Sequence, residues 1–278
     1  MILFPNAKIN LGLNVESRRA DGYHNIATVM LPTGWHDVLE IVPAAGSATT
    51  LTTYGRTVDC PPERNLVMKA YNALKAEVPD LPAADIYLQK ILPDGAGMGG
   101  GSADAAFTLI GLNEVFNLGL DKETLASVAA NIGADCPFFI YNTPAYCTGT
   151  GTDLSHDVAL PEQPLYIAIA KPRQGSVSTA EAYAAITPRQ AEVAPIDAIK
   201  RPVEEWRDVL VNDFELSVFA RLPQCATLKE HFYASGAVYA AMSGSGSAVF
   251  GIFTSDKMAQ SSISALTDCD TFTGRLQV

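Results

Sequence analysis

The chain lacks any Cys-x-x-Cys pair, and its five cysteines are scattered from Cys60 to Cys269. An odd number of dispersed thiols, in a chain of 278 residues that can build its own core, argues against a disulfide framework and for a reducing, cytoplasmic compartment. Long apolar runs are missing too. No segment approaches 18 consecutive apolar residues, and the opening MILFPNAKINLGLNV has Lys8 in its middle, so neither a membrane span nor a signal peptide is expected. Basic residues are scarce: 19 Lys and Arg stand against 30 Asp and Glu, a net charge of −11. Such a surface repels a nucleic-acid backbone or an anionic membrane, so neither is expected as a partner. Any anionic ligand must be held by local geometry.

What is present is an ordinary globular mixture, 48% hydrophobic and 18% charged, which excludes disorder as the main state. Short strand patterns fill the first third: ILFPNAKINLGLNV, DVLEIV, TTLTTYG and ADIYLQKIL. In the last of these, Ile86, Leu88 and Lys90 share one face. The spacing predicts a helix in NLVMKAYNALKAEV, with Asn65 as its N-cap. It predicts another after the glycines, with Ala103, Ala106, Phe107, Ile110 and Val115 on its buried face. A third runs from Asp121 to a terminal Gly133.

The texture changes between Tyr146 and Leu160, and a domain boundary is expected there, dividing the chain into 1–152 and 153–278. Beyond it come the strand LYIAIAKP, helices in TAEAYAAI, VEEWRDVLVNDFE and CATLKEHFYASG, strands in AVYAAMSGSGSAVFGIF, and a final helix capped by Ser255. Strands and helices alternate without a regular βαβ period, which favours an α+β fold.

The stretch LPDGAGMGGGSAD holds five glycines in the seven residues from Gly95 to Gly101, directly before a helix. Glycines let consecutive N–H groups point into one concavity, and the helix adds its own unpaired N–H groups and the positive end of its dipole. That combination binds phosphate. No Gly-Lys-Ser/Thr follows, and no acidic residue stands at the end of a second parallel strand, so neither a P-loop nor a Rossmann fingerprint fits. The alternative reading of the glycines alone is a linker or tight turn.

PDGAGMGGGSADAA resembles the nucleotide loop of the GHMP kinase superfamily, and PNAKINLGLNV and MSGSGSAVFGIF resemble its N-terminal and C-terminal motifs, in the same order. The resemblance implies an α+β, two-domain GHMP kinase fold, with an N-terminal domain like ribosomal protein S5 domain 2 and a ferredoxin-like C-terminal domain. RRADGYHNIATVM and NIGADCPFFI further resemble the branch of non-mevalonate isoprenoid synthesis whose acceptor carries a cytidine diphosphate group.

Carried over by motif, the resemblance implies that Asp135 takes the proton of the acceptor hydroxyl while Lys8 keeps that carboxylate ionised. ATP would be held by Asn65, Leu66 and Lys90, and by the loop Pro93, Asp94, Gly95, Ala96, Gly97, Met98, Gly99, Gly100, Gly101, Ser102 and Ala103. Asn10, Tyr23, His24 and Tyr183 would bind the acceptor, the aromatic groups enclosing its base. Mg²⁺ is implied with ATP, without readable protein ligands beyond Ser102 as a candidate. Asp94 departs from the pattern by placing a carboxylate beside the phosphates.

Singly, these residues have ordinary explanations. Lys8 in a strand snorkels, Asp135 after Gly133 caps a turn, and Tyr183 packs a core. Their occurrence together with a phosphate loop favours chemistry over the alternatives, a kinase for a base-free acceptor such as mevalonate or homoserine and a non-catalytic ligand sensor.

Overall fold

The computed structural model describes residues 1–58 and 60–276. In chain order the strands are β1 (Ile2–Leu3), β2 (Asn6–Arg18), β3 (His24–His36), β4 (Val38–Pro43), β5 (Thr50–Gly55), β6 (Ala84–Lys90), β7 (Ala145–Thr148), β8 (Asp153–Ser155), β9 (Tyr166–Pro172), β10 (Tyr239–Met242), β11 (Val249–Phe253) and β12 (Cys269–Arg275). The helices are α1 (Leu66–Glu77), α2 (Gly100–Val115), α3 (Lys122–Ala130), α4 (Cys136–Tyr141), α5 (Thr179–Ala184), α6 (Pro195–Ala198), α7 (Trp206–Val209), α8 (Glu215–Arg221), α9 (Pro223–Ala234) and α10 (Asp256–Ile263). Among the described residues no helix is long and apolar enough to cross a membrane.

The chain divides into two compact units that interleave along the sequence. One comprises Met1–Ala7, Trp35–Asp94 and Gly99–Thr143. Its sheet has the order β1-β4-β6-β5, antiparallel except for the parallel β5–β6 pair. Ile41 and Leu51 flank Ile86 across this sheet, and α2 packs on β4 and α1. Asn65 caps α1 by accepting from the Val67 N–H at 2.9 Å, and Asp121 caps α3 by accepting from the Thr124 N–H at 2.8 Å. Both caps follow from side-chain oxygens placed before helix-forming runs.

The second unit comprises Lys8–Gly34, Gly95–Met98 and the chain from Pro144 onward. It contains the sheet β2-β3-β7-β8 and the antiparallel sheet β10-β11-β9-β12. Strand β11 is buried along its whole length, with α9 packed against it. Phe232, Phe253, Phe214 and Val249 join Leu13 and Val15 in one apolar cluster. Each fully buried phenylalanine contributes about 1.5–3 kcal/mol over leaving it exposed.

Several sequence expectations need correction. Helix α2 buries Ala105, Leu109 and Leu112 along with Ala103 and Ala106, while Phe107, Ile110 and Val115 are only half-buried. It is enclosed on most sides, so a single apolar stripe does not describe it. Helix α3 ends at Ala130, and Gly133 is not the left-handed glycine that would close it. VEEWRDVLVNDFE is not one helix: α7 stops at Val209, and Leu13 forms backbone hydrogen bonds with Val211 and Asp213 before α8 begins. Ser255 precedes α10, but its side chain makes no cap hydrogen bond. Strands β3, β7, β8 and β12 carried no strand prediction, and the expected first strand is two, β1 and β2.

Candidate active site

The glycine segment joins the end of β6 to α2. Gly95, Gly97 and Gly99 have φ of 60°, 70° and 72°, left-handed values natural to glycine, whereas the intervening Ala96 and Met98 are buried. The carbonyls from Gly95 to Met98 all turn to protein donors. Gly95 O accepts from the Ser247 N–H and Ala96 O from the Ala248 N–H, each at 3.1 Å. Gly97 O accepts from Lys8 Nζ and from Ser243 Oγ, each at 3.0 Å, and Met98 O accepts from the Lys8 N–H at 2.9 Å. The N–H groups behave in the opposite way. Among the described residues, none from Gly95 to Ser102 donates a hydrogen bond, and the first α2 amide to do so is that of Ala103, to Gly99 O at 2.8 Å. Carbonyls drawn into the protein and amides left over is the polarity an anion requires.

Lys8 and Asn10 alternate on β2 and therefore share a face. Lys8, buried to 3% exposure, donates to Asn10 Oδ1 at 2.6 Å. Asn10 in turn donates to Thr28 Oγ1 at 3.0 Å, and Thr28 to Gly12 O at 2.5 Å. This chain fixes the ammonium, so the residue does not snorkel.

Asp135 occupies the N-cap position of α4, yet its carboxylate makes no cap hydrogen bond. Burial pushes the neighbouring Cys136 thiol up to about 12, opposed in part by a hydrogen bond from Ser102, and this excludes Cys136 as a nucleophile at neutral pH.

His24 stacks on Tyr183, with ring centroids 4.9 Å apart and planes 19° from parallel, and Tyr183 meets Phe214 edge-on at 4.8 Å. Burial, helped by Arg18, lowers the His24 pKa and so favours the neutral imidazole. Tyr23 is 67% exposed and takes no part in this stack. The structure thus joins two of the three expected aromatic groups.

Of the residues expected around ATP, Asn65 is occupied as the α1 cap and Leu66 opens that helix. Pro93 is buried and Asp94 exposed. Lys90 is enclosed, its Nζ 2.5 Å from Asp37 Oδ2 and 2.8 Å from Asp104 Oδ2. Burial works against its charge, but Asp104 and Asp37 outweigh burial and raise its pKa. Among the described residues no group of three or more His, Cys, Asp or Glu side chains is placed to hold a metal ion.

Asn212 escaped the sequence reading because it fell inside an expected helix. It is 2% exposed and donates to Met242 O and Gly244 O, each at 2.8 Å, which fixes the turn carrying Ser243. Its Oδ1 accepts from the Phe214 N–H at 3.0 Å, so the Asn-Asp pair before Phe-Glu was a readable turn signal.

The sequence matches the family described as GHMP kinases N terminal domain over residues 65–143 and GHMP kinases C terminal over residues 196–268. With the phosphate-type loop, this defines the class: the chain has the two-domain GHMP kinase fold. A protein of Parabacteroides distasonis, named 4-diphosphocytidyl-2-C-methyl-D-erythritol kinase, is 49% identical over 276 residues, covering 99% of this chain and 100% of the relative. The protein of that name from Porphyromonas gingivalis is 47% identical, with 97% of each chain covered. A crystal structure of 4-(cytidine 5'-diphospho)-2C-methyl-D-erythritol kinase matches all of both chains at 30% identity and a TM-score of 0.85. The mevalonate kinase of Methanococcus jannaschii shares the fold, with a TM-score of 0.75 at 12% identity over 100% of this chain and 98% of that one. The chain belongs to the 4-diphosphocytidyl-2-C-methyl-D-erythritol kinase family.

Proposed function

We propose that this enzyme transfers the γ-phosphoryl group of ATP to the 2-hydroxyl of 4-diphosphocytidyl-2-C-methyl-D-erythritol. The observation that carries the phosphoryl chemistry is the run of amides from Gly95 to Ser102 that donate to no described residue, ahead of a 16-residue helix. The relatives named above support the choice of acceptor.

Phosphoryl transfer needs positioning and charge stabilisation more than covalent help, and each assigned group has such a task. The loop amides cradle the phosphates. The fixed Lys8 ammonium stabilises developing charge, and Asp135, not used as a cap, accepts the hydroxyl proton. Asn10 orients the acceptor, and His24 and Tyr183, with the exposed Tyr23, supply the aromatic surface for its base. The other residues assigned to ATP, Asn65, Leu66, Lys90, Pro93 and Asp94, all precede the glycines in the chain and would complete the nucleotide site. Mg²⁺ would enter with the ATP phosphates and neutralise their charge, with Ser102 as the one candidate protein ligand. The two family matches lie on either side of residue 152, which supports sequence domains at 1–152 and 153–278, although the compact units group Lys8–Gly34 and Gly95–Met98 with the chain from Pro144 onward.

The test is ADP release with a panel of acceptors. Turnover with the cytidyl acceptor, and none with mevalonate or homoserine, is expected. Mevalonate phosphorylation without turnover of the cytidyl acceptor would overturn the reading.

A further inference from the structure

Lys90 sits at the last position of β6, and Asp104 lies one turn into α2. The glycine segment is the chain between them. Asp37, at the junction of β3 and β4, is wholly buried and divides its carboxylate between two tasks. Its Oδ2 takes Lys90 Nζ, while its Oδ1 accepts from the Ile91 N–H at 2.5 Å and the Leu92 N–H at 2.8 Å. Asp104 Oδ2 holds the same ammonium from the helix side. The helix start is close-packed on this cluster. A Cβ at Gly100 would stand 3.3 Å from Leu92 Cδ1 and 3.7 Å from Lys90 Nζ, contacts with little slack.

We infer that Asp37 and Asp104, clasping Lys90 between them, are positioning residues for nucleotide binding: they set the spacing between the strand that leads into the glycine segment and the helix that leaves it. The inference rests on the reading of that segment as the phosphate loop.

Stability alone is a poor account of the cluster. Two carboxyl groups are buried around one ammonium, all three side chains are less than 5% exposed, and among the described residues Asp104 Oδ1 has no hydrogen-bond partner. Well-packed apolar residues of the same volume would generally serve stability as well or better. What they would not supply is direction. The ammonium gives each carboxylate a fixed target, and Asp37 converts that target into the placement of two consecutive backbone amides. Misplacing these two ends would spread or compress the amides that the phosphates use, and binding that depends on several aligned donors is lost steeply with small displacements.

The experiment compares Asp104→Leu and Asp104→Asn with the wild-type enzyme by calorimetric titration with a non-hydrolysable ATP analogue. It adds thermal melting, the KM for the cytidyl acceptor, and amide hydrogen exchange over residues 95–101. Asp104→Leu is expected to weaken analogue binding at least about tenfold, with the acceptor KM within about twofold of wild type. Asp104→Asn, which still offers Lys90 an oxygen, is expected to fall between the two and to raise exchange in the glycine segment. An Asp104→Leu protein that melts lower but binds the analogue as wild type does overturns the inference. If Asp104→Leu does not fold, an Asp104→Asn protein with wild-type affinity and wild-type exchange overturns it. Wild-type enzyme that binds the analogue yet phosphorylates no cytidyl acceptor would instead refute the proposed function, and the variants would still decide the inference.

Discussion

Ser243 Oγ donates to the carbonyl oxygen of Gly97 at 3.0 Å across 146 residues of sequence. Lys8 Nζ ends on the same oxygen, so one carbonyl ties the C-terminal motif and the N-terminal lysine to the glycine loop. The approach is possible because Gly97 has no side chain. A Cβ there would collide with Ser243 O and lie 2.9 Å from Gly246 N, on a backbone with φ of 70°. Gly97→Ala is therefore expected to weaken binding of a non-hydrolysable ATP analogue at least about tenfold by calorimetry. Ser243→Ala removes one bond and leaves the other, with an expected loss of about 1 kcal/mol in urea unfolding.

Asp135→Ala removes the group assigned to the acceptor proton while leaving the loop amides untouched. Its kcat is expected to fall by about two to four orders of magnitude, with little change in ATP-analogue affinity. Single-turnover kinetics beside calorimetry separates the two effects. A parallel loss of nucleotide affinity would assign Asp135 to binding.

Asn212→Ala would leave the carbonyls of Met242 and Gly244, both buried, without their donor. Denaturant unfolding is expected to show a loss of about 2–3 kcal/mol, well beyond that of a surface Asn→Ala change.

Asp104 gives stability a distinctive pH dependence. Burial is the main cause that raises its pKa from the ordinary 3.8 to about 7; Lys90 pulls it down and Asp37 adds to the rise. A folded-state value above the unfolded one means that the native protein binds the proton more tightly. Its contribution is therefore full below about pH 4 and is lost as pH rises through about 7. The unfolding free energy of wild type relative to Asp104→Asn should decline across this range, by at most about 1.4 kcal/mol per pH unit. Urea titrations at a series of pH values measure the difference, and one that increases with pH would contradict the assignment.

Local chemistry was legible in the sequence wherever neighbours along the chain decide the outcome. Asn65 and Asp121 each cap a helix through an amide two or three residues away. The face shared by Ile86, Leu88 and Lys90 followed from the two-residue period of a strand. Tertiary contacts overruled local pattern elsewhere. The stretch from Val203 to Glu215 has helical residues, but pairing of Leu13 with the segment around Asn212 straightens it. Helix α2 hid its buried face because its surroundings are apolar on most sides.

By itself the sequence determined the chemical class. Five glycines in seven residues before a helix can present a row of backbone amides, and the flanking motifs tie such a row to phosphoryl transfer. Only the tertiary structure decided which way that row faces. The partners of the loop carbonyls, Lys8, Ser243, Ser247 and Ala248, come from the two ends of the chain, and a carbonyl's direction is set by the donor that reaches it. The same holds for Lys90. A lysine on a buried strand face is unfavourable until Asp37, 53 residues before it, and Asp104, 14 after it, close around its charge.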